Sequence, residues 1–460
     1  MTRQGTTPTQ ASVSRRVLAP LALAQFICSF AGSNMNVMIN DMSRDLNTSV
    51  QGIQVAITLF LLVMAALMIP GGKLTDKFGR KRCFLVGLAI YAVGAILSAV
   101  APGLGVLILG NSILEGVGTA LLIPPVYILT TLLFTDLTSR ARAFGVISAM
   151  GGVGAATGPL IGGLITSALS WRYAFVFQTL VVVLIAWMGR RVPDPLPADP
   201  KRPFDIGGAI LSSAGLILLV MGILAADNNG WLMLALVSAG VLVLAWFFGY
   251  IRARERAGRE VLLSTSLFHK RVANLGMVTQ NLQWLMLMGT SFVVATYLQV
   301  VRHYDAIQTG VIFSAATIGV LVSSLGAERM ATRRAQRSLI MAGFAIAVVG
   351  IGVLLPLVHG RPGAWAFAPG LFVIGFGLGA MLTPSVNVVQ SSFPENQQGE
   401  ISGLSRSVSN LGSSLGTAIA GTILVAGITS TPGRSYALAM VVIGVVGIAG
   451  LVTAAFLPRT

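Results

Sequence analysis

Charged side chains are scarce in this chain of 460 residues. They make up 10% of it, whereas 55% of the residues are hydrophobic. A soluble domain carries about a quarter charged residues, so this chain cannot cover itself with a hydrated surface. Its apolar runs of about 20 residues match the thickness of a bilayer core. In lipid each run must be helical, because unpaired backbone groups find no water there.

Cysteine, histidine and catalytic motifs are equally sparse. Cys28 and Cys83 fall in or at the edge of predicted spans, which argues against a disulfide framework or a metal site. The three histidines fall in loops, so we expect no histidine proton relay in the membrane. We find no G-x-x-x-x-G-K-[ST] loop for ATP. No nucleophile clusters with a base at membrane depth, so we predict that the chain is not an enzyme.

The net charge of +16 could suggest a nucleic-acid partner. The basic residues instead lie in short loops between apolar spans, and we predict no nucleic-acid binding. With a cytoplasmic N-terminus, 26 Lys and Arg lie on the inner side and 5 on the outer side. This asymmetry predicts cytoplasmic N- and C-termini. The excess of Arg over Lys and the abundance of Ala and Gly favour a bacterial inner (cytoplasmic) membrane protein with many spans.

Hydropathy predicts fourteen transmembrane helices in an all-α membrane protein. Four glycines of the fifth span recur 258 residues later in the thirteenth: Gly145, Gly154, Gly158 and Gly163 return as Gly403, Gly412, Gly416 and Gly421. The repeat predicts two six-helix halves with two helices between them, a 6 + 2 + 6 plan. The predicted parts are a cytoplasmic tail 1–16, an N-terminal half 17–190, a linker 191–270 with extra helices near 206–226 and 231–251, a C-terminal half 271–457, and a cytoplasmic end 458–460.

One loop between two spans carries a specific pattern. Residues 72–82 read G-x-L-x-D-x-x-G-R-K-R, with Gly72, Asp76, Gly79, Arg80 and Arg82 at the marked positions. The pattern resembles the signature loop between the second and third helices of the major facilitator superfamily. The resemblance implies the major facilitator fold and a cytoplasmic latch, in which Asp76 and Arg80 stabilise the outward-facing state. It also implies a secondary transporter that works by alternating access.

The fifth span reads G-x-x-x-G-P-x-x-G-G, formed by Gly154, Gly158, Pro159, Gly162 and Gly163. This string is similar to the antiporter motif of exporters in the superfamily. Glycines four apart let another backbone pack closely, and the proline permits a bend. Ordinary small-residue helix packing is the alternative interpretation. Partial matches at 36–41 and 171–175 extend the resemblance to the fourteen-span drug:proton antiporter branch.

Two departures from that branch bear on the mechanism. The acid that many relatives carry in span one corresponds to Ala31 here, and the R-x-x-Q-G of span four reads Ser112-Ile-Leu-Glu115-Gly116. Glu115 lies about eleven residues into its span, where desolvation favours its protonated form. We therefore expect Glu115 to carry the coupling proton, with Asp41 as the second candidate. The alternative is a permanently neutral, structural Glu115.

Polar stripes in several spans suggest a wet central cavity. Asn111, Ser112, Glu115 and Thr119 share one helical face, as do residues of span one. Arg406 could meet an anionic group there or reach back to the inner interface. The candidates for cavity or substrate contact are Gln25, Ser29, Ser33, Asn36, Asn111, Thr119, Gln280, Gln283, Trp284, Asn387 and Arg406.

These observations predict a multidrug efflux transporter in a lipid bilayer. It would export small amphipathic compounds or drugs by proton antiport, as a monomer, with protons as coupling ion and no cofactor. Export of an endogenous metabolite or lipid, and uptake by proton symport, remain alternatives. A receptor or scaffold would need large soluble loops, and the longest loops here have only about 20 residues.

Overall fold

The computed structural model describes residues 10–134, 137–195, 198–201, 203–226, 229–331, 336–358, 363–394 and 397–458. Much of the two predicted tails therefore lies outside the described residues. Thirteen helices are long and apolar enough to cross a membrane. A bent pair, Arg142–Ala155 and Thr157–Ala168, supplies the fourteenth. The described part of the chain contains no strand, so the predicted all-α fold with fourteen spans is confirmed.

The helices of the first six spans follow one another with short turns. They are α1 (Gln10–Asn34), the short α2 (Ile39–Asp45), α3 (Val50–Phe78), α4 (Arg80–Ala99), the short α5 (Leu104–Leu107), α6 (Gly116–Leu133), α7 (Leu137–Ala168) and α8 (Trp171–Gly189). A π-helix, Ile108–Glu115, joins α5 to α6 within the fourth span. We call these spans the N-terminal half.

The later spans repeat this arrangement after two extra helices. They are α9 (Ile206–Leu224), α10 (Gly230–Arg256), α11 (Arg271–Thr296), α12 (Ala306–Ala331), α13 (Gln336–Leu354), α14 (Phe367–Gln390), α15 (Gln398–Ala426) and α16 (Pro432–Ala455). We call α11–α16 the C-terminal half. One large apolar cluster lies mostly in each half. These clusters support the 6 + 2 + 6 division, which we keep as a proposal.

The repeated glycines have equivalent neighbours in the two halves. A Cβ at Gly154 or Gly158 would lie too close to α1, at the carbonyl of Phe26 and the hydroxyl of Ser33. A Cβ on the matching glycines of α15 would meet carbonyls of α11. Helices gain little from apolar contact in lipid, so such close approach is a main source of their association. The same helix pair is thus packed twice, once in each half.

The glycine nearest the C-terminal end of each repeated helix contacts the opposite half. A Cβ at Gly163 of α7 would press on the carbonyl of Ala306 in α12. A Cβ at Gly421 of α15 would press on the amide of Gln54 in α3. Gly162 packs beside Asn34 of α1. The antiporter-like string therefore forms two contacts, one within a half and one between halves.

The bend in α7 has an identifiable cause. Its two segments meet at 41°, between Ala155 and Thr157. Pro159 lacks the N–H that would bond to the carbonyl of residue 155, and its ring crowds that carbonyl. A helix bends on the N-terminal side of such a proline. The sequence indicated only that Pro159 permits a bend, and the bend lies on its N-terminal side.

Asp205 fastens the two extra helices at one end. Its buried carboxylate accepts hydrogen bonds from the backbone N–H groups of Gly208 and Leu262, at 3.0 and 3.1 Å. It also accepts one from the Tyr250 hydroxyl at 3.0 Å, and Arg254 lies 3.7 Å away. The start of α9, the end of α10 and the following segment are therefore joined at one side chain.

Gly412→Ala and Gly403→Ala form a matched pair on α15. The first puts a methyl group against the backbone of Asn281, whereas a Cβ at Gly403 meets nothing within 4 Å. Overpacking costs about 1–3 kcal/mol, while Ala gains up to about 1 kcal/mol of helix propensity over Gly. We expect Gly412→Ala to lower the thermal unfolding temperature of the purified protein and Gly403→Ala to maintain or raise it.

Gly154→Ala and Gly145→Ala provide the same comparison on α7. A Cβ at Gly154 would meet the backbone of Phe26, whereas a Cβ at Gly145 meets nothing within 4 Å. Equal unfolding temperatures within both pairs would contradict the assigned role of the glycines.

Candidate functional site

A cavity of about 60 Å³ lies between the two halves. Its polar lining comprises Gln25, Ser29, Arg406, Ser409, Asn410 and Ser413, and its apolar lining includes Leu61, Met64, Met68, Trp284 and Met288. Pockets that hold drug-sized molecules usually measure ~300–1,000 Å³. The cavity must therefore widen before such a molecule fits. Methionine side chains, which change shape at little cost, form much of the wall that has to move.

The polar wall on α15 is built from hydroxyl groups that bond to their own helix. Ser409 donates to the carbonyl of Ser405 at 2.9 Å, and Ser413 donates to that of Ser409 at 3.2 Å. Thr417 continues the row with a 3.2 Å bond to the carbonyl of Ser413. Bonds to the carbonyl four residues earlier are the usual solution for hydroxyls inside helices. They keep the row satisfied while its oxygens can still accept hydrogen bonds.

Arg406 reaches across the cavity to the N-terminal half. Its guanidinium donates to the hydroxyl of Tyr127 and lies 4.9 Å from the centre of that ring. Tyr127 donates in turn to the side-chain carbonyl of Gln25 at 3.1 Å, and Gln25 donates to Ser29 at 3.1 Å. Of the two predicted arrangements for Arg406, the structure has the one in which it faces the cavity.

One end of the cavity is bridged by amide side chains. Asn36 donates to the hydroxyl of Ser291 at 3.1 Å. Gln299 donates to the backbone carbonyl of Asn36 at 2.7 Å and accepts from the backbone N–H of Asn40 at 3.3 Å. These bonds join the end of span one to α11 and the π-helix that follows it. Asn36 thus lies at a contact between the halves rather than in the cavity lining.

Helices α3 and α15 meet along their whole length, and we call this contact the α3–α15 seam. Gln54 donates to the carbonyl of Thr417 at 3.2 Å, and Ser414 donates to that of Thr58 at 3.1 Å. At the opposite end Lys73 and Glu400 form an ion pair at 2.5 Å. The two helices run in opposite directions, and these contacts join them near both ends of the seam.

The signature loop is shorter than its sequence suggested. Helix α3 continues to Phe78 and α4 begins at Arg80, so Gly72 and Asp76 are helical and Gly79 alone forms the corner. Gly79 has φ of +92°, a conformation that favours glycine. The expectation of a loop over 72–82 was wrong, because the basic residues extend the helices past the apolar core. Arg80 pairs with Asp76 across the corner at 2.7 Å.

The proline-rich linker contacts this corner. Asp194 accepts a 3.0 Å hydrogen bond from the backbone N–H of Lys81 at the start of α4. Lys81 in turn donates through its ammonium group to the carbonyl of Arg190 at 2.7 Å. A carboxylate at a helix N-terminus is stabilised by the helix dipole. The linker therefore caps the helix that follows the corner. Arg82 is exposed and lines a surface pocket together with Asp194.

Glu115 is fully buried inside the N-terminal half and does not line the cavity. One carboxyl oxygen accepts a 3.4 Å hydrogen bond from Ser98 of α4, and the other has no partner among the described residues. Tyr91 neighbours the carboxyl and donates to Gln178 of α8 at 2.5 Å. No lysine or arginine in the described chain pairs with this carboxyl group.

The predicted stripe of span four contacts three different helices. Ser112 donates to the carbonyl of Ala56 in α3, Glu115 faces α4, and Thr119 accepts from the Cys28 thiol of α1. Asn111 is buried with no side-chain partner among the described residues. The stripe was predicted from α-helical periodicity, but Ile108–Glu115 is a π-helix with a wider turn. The wider turn rotates these side chains away from a common face.

The remaining candidates lie at varied positions. Ser33 bonds to the backbone of its own helix, Gln280 accepts from Ser405 at 2.8 Å, and Gln283 donates to Leu378 at 3.4 Å. Trp284 lines the cavity, whereas Asn387 is exposed. Half-buried Asp41 lies in α2, outside the cavity lining; burial raises the pKa of its carboxyl, and nearby Arg44 opposes the shift.

Sequence reasoning missed Tyr127, Gln54 and the Lys73–Glu400 pair. Each contributes a contact between helices far apart in the chain, which periodicity within one helix cannot reveal. A lone tyrosine two residues after two prolines, as Tyr127 is, was the available signal for an irregular and polar region of span four. Within the described residues no group of three His, Cys, Asp or Glu could hold a metal ion.

Known proteins provide a comparison for this arrangement. A family model described as the Major Facilitator Superfamily matches residues 21–212 and 206–417. The chain is 31% identical to the puromycin resistance protein pur8 of Streptomyces alboniger, over 88% of this chain and 81% of that protein. It is 27% identical to the multidrug efflux pump LfrA of Mycolicibacterium smegmatis, over 91% of this chain and 82% of that protein.

A solved structure of the peptide transporter POT in complex with sulfate superimposes with a TM-score of 0.68. The match covers 96% of this chain and 93% of that one, at 17% sequence identity. At this identity the likeness concerns the fold alone.

Breaking the Lys73–Glu400 pair should loosen the end of the α3–α15 seam at which that pair lies. In a chain whose two cysteines are replaced by alanine, we expect Lys73→Gln to speed maleimide labelling of a cysteine introduced by Ser409→Cys. A partly exposed ion pair is worth up to ~1 kcal/mol, so the acceleration should be about two- to five-fold.

The charge swap Lys73→Glu with Glu400→Lys is the control and should restore the slow rate. If the swap labels as fast as the single variant, the pair does not hold the seam.

Proposed function

We propose, from the premise that this chain belongs to the major facilitator superfamily, that it exports small amphipathic compounds or drugs in exchange for protons. As a family member it is a membrane-embedded transporter of a small molecule. The observation that carries the proposal is a cavity lined by both halves and bridged at its two ends by different contacts. If the contacts at only one end were released at a time, the cavity would open to one side of the membrane at a time.

The relatives' names support the direction of transport. They include a puromycin resistance protein, a multidrug efflux pump and a probable actinorhodin transporter of Streptomyces coelicolor, the last 27% identical over 85% of this chain. All three are bacterial, which fits a multi-pass protein of the bacterial inner membrane. We propose that the termini are cytoplasmic and that the protein works as a monomer. We also propose that it needs no cofactor beyond protons and catalyses no reaction.

Asp76, Arg80 and the Lys73–Glu400 pair form the proposed latch. Asp76 and Arg80 fix the corner between α3 and α4, and Lys73 links the end of α3 to α15 in the other half. If the termini are cytoplasmic, this end of the seam faces the cytoplasm. Holding it closed would favour the outward-facing state, as the resemblance of the signature loop implies.

Glu115 is the proposed proton carrier. A carboxyl group in the membrane interior without a cationic partner is strongly favoured in its neutral form. Thr119, one turn further along the span, bonds to Cys28, and Cys28 lines the cavity. A shift of α1 against α6 would therefore bring water toward Glu115 and allow its proton to leave. Each proton moved across the membrane supplies ~2.3 kcal/mol per 100 mV, plus any pH gradient.

Glu115→Gln tests this mechanism in inverted vesicles with an acidic interior. We expect wild type to dissipate the pH gradient when a transported compound is added, and the variant to lose this effect by at least ten-fold. Exchange of labelled for unlabelled compound without a gradient should persist, because it needs no proton release. The panel contains cationic, neutral and anionic fluorescent compounds, and gradient dissipation and exchange are both recorded.

Asp41→Asn is the comparison variant and should couple as wild type does. Unchanged proton coupling in Glu115→Gln would show that Glu115 has only a structural role, and Asp41 would then be the next candidate for the proton site. Accumulation only against the opposite gradient would show symport. Activity on metabolites or lipids but on none of the drug-like compounds would favour the alternative substrate class.

A further inference from the structure

Arg406 is the one charged side chain among the described residues that line the cavity. It forms no ion pair within the described part of the chain, and its hydrogen bond goes to a neutral hydroxyl. Glu115 does not line the cavity and faces α4. A lone cation at membrane depth is costly. Its position therefore calls for a negative partner that the protein itself does not supply.

We propose that Arg406 binds an anionic group of the transported molecule, so that the substrates are amphipathic carboxylates or similar organic anions. The inference rests on the proposed export function and adds the substrate class. A guanidinium forms strong, directional bonds with a carboxylate. The hydroxyls of Ser409 and Ser413 and the amide of Asn410 line the same space for further polar groups.

The apolar lining of the cavity suits an apolar or aromatic body. Trp284, Met64, Met68 and Met288 line it. Methionine side chains adapt their shape and contact aromatic rings favourably. An organic anion with an aromatic portion would therefore place its charge at α15 and its ring against α3 and α11. A cationic drug would meet Arg406 without any acid in the described lining to offset the repulsion.

Tyr127 occupies the place of this anion in the closed cavity. Its hydroxyl accepts a hydrogen bond from Arg406, and its ring lies against the guanidinium. Tyr127 thus supplies both a hydrogen bond and a ring contact to Arg406 while no anion is bound. Tyr127 belongs to the N-terminal half and Arg406 to the C-terminal half. A substrate anion that takes over Arg406 frees Tyr127 and removes one bond between the halves. Binding would thereby loosen the closed cavity.

Two dyes with the same xanthene core test the proposal on purified protein in detergent. Fluorescein is anionic and rhodamine 6G is cationic, and fluorescence polarisation reports the binding of each. We expect wild type to bind fluorescein more tightly than rhodamine 6G. Arg406→Gln should weaken fluorescein binding by at least ten-fold and leave rhodamine 6G binding unchanged or stronger.

Three further variants separate charge from shape. Arg406→Lys should retain part of the fluorescein affinity, because it keeps the charge and loses the planar donor group. Asn410→Asp places an acid beside Arg406 and should weaken fluorescein and strengthen rhodamine 6G. Tyr127→Phe removes the competing hydroxyl and should bind fluorescein at least as tightly as wild type.

The inference is overturned if wild type shows no preference for fluorescein, or if Arg406→Gln binds it as wild type does. Binding needs no gradient, so the proposed function is judged separately in proteoliposomes. Proton-driven export of rhodamine 6G, together with fluorescein binding that Arg406→Gln does not weaken, would support the export function and overturn the anion site. Arg406-dependent binding of fluorescein without any proton-driven flux would support the anion site and contradict the proposed export function.

Discussion

Close approach of helix backbones at glycine is the interaction on which this molecule depends. Lipid chains are as apolar as leucine, so helices in a bilayer gain no hydrophobic advantage from touching each other. Association instead comes from dispersion contacts, which require the backbones to approach closely. Gly154 and Gly412 allow that approach within each half, and Gly163 allows it between halves, where Gly421 makes room for the Gln54 side chain. The cavity exists because these contacts surround it.

Glu115 and Arg406, the two charged residues proposed to act in transport, belong to different halves and have different neighbours. Glu115 lies within the N-terminal half among Ser98, Tyr91 and Gln178, where a neutral carboxyl group is stable. Arg406 belongs to the C-terminal half and faces the cavity, where its charge is available to a guest. With the proposed roles, the proton would bind Glu115 and the transported molecule would bind Arg406, so the two would not compete for one side chain. They would communicate through the helices between them, chiefly α1 and α6.

The sequence predicted the architecture well and the site only in part. Hydropathy alone indicated the fourteen spans, because lipid permits only helices as spanning structures in a chain of this kind. The glycine spacing indicated the repeat, since each glycine pair has equivalent neighbours. The direction in which the Glu115 side chain points could not be predicted, because a π-helical segment rotates side chains that α-helical spacing would align. Tyr127 depends on a partner, Arg406, that lies 279 residues away in the chain.

The hydroxyl row of α15 has a consequence for how fast a guest leaves. Ser409, Ser413 and Thr417 each return to a hydrogen bond with their own helix when nothing else is present. When a guest molecule leaves the cavity, none of these hydroxyl groups is left without a hydrogen-bond acceptor. Release of the guest therefore carries no penalty from unpaired hydroxyl groups at this wall. Affinity from such a surface is modest, and residence times are short. A wall of this kind favours rapid turnover over tight retention.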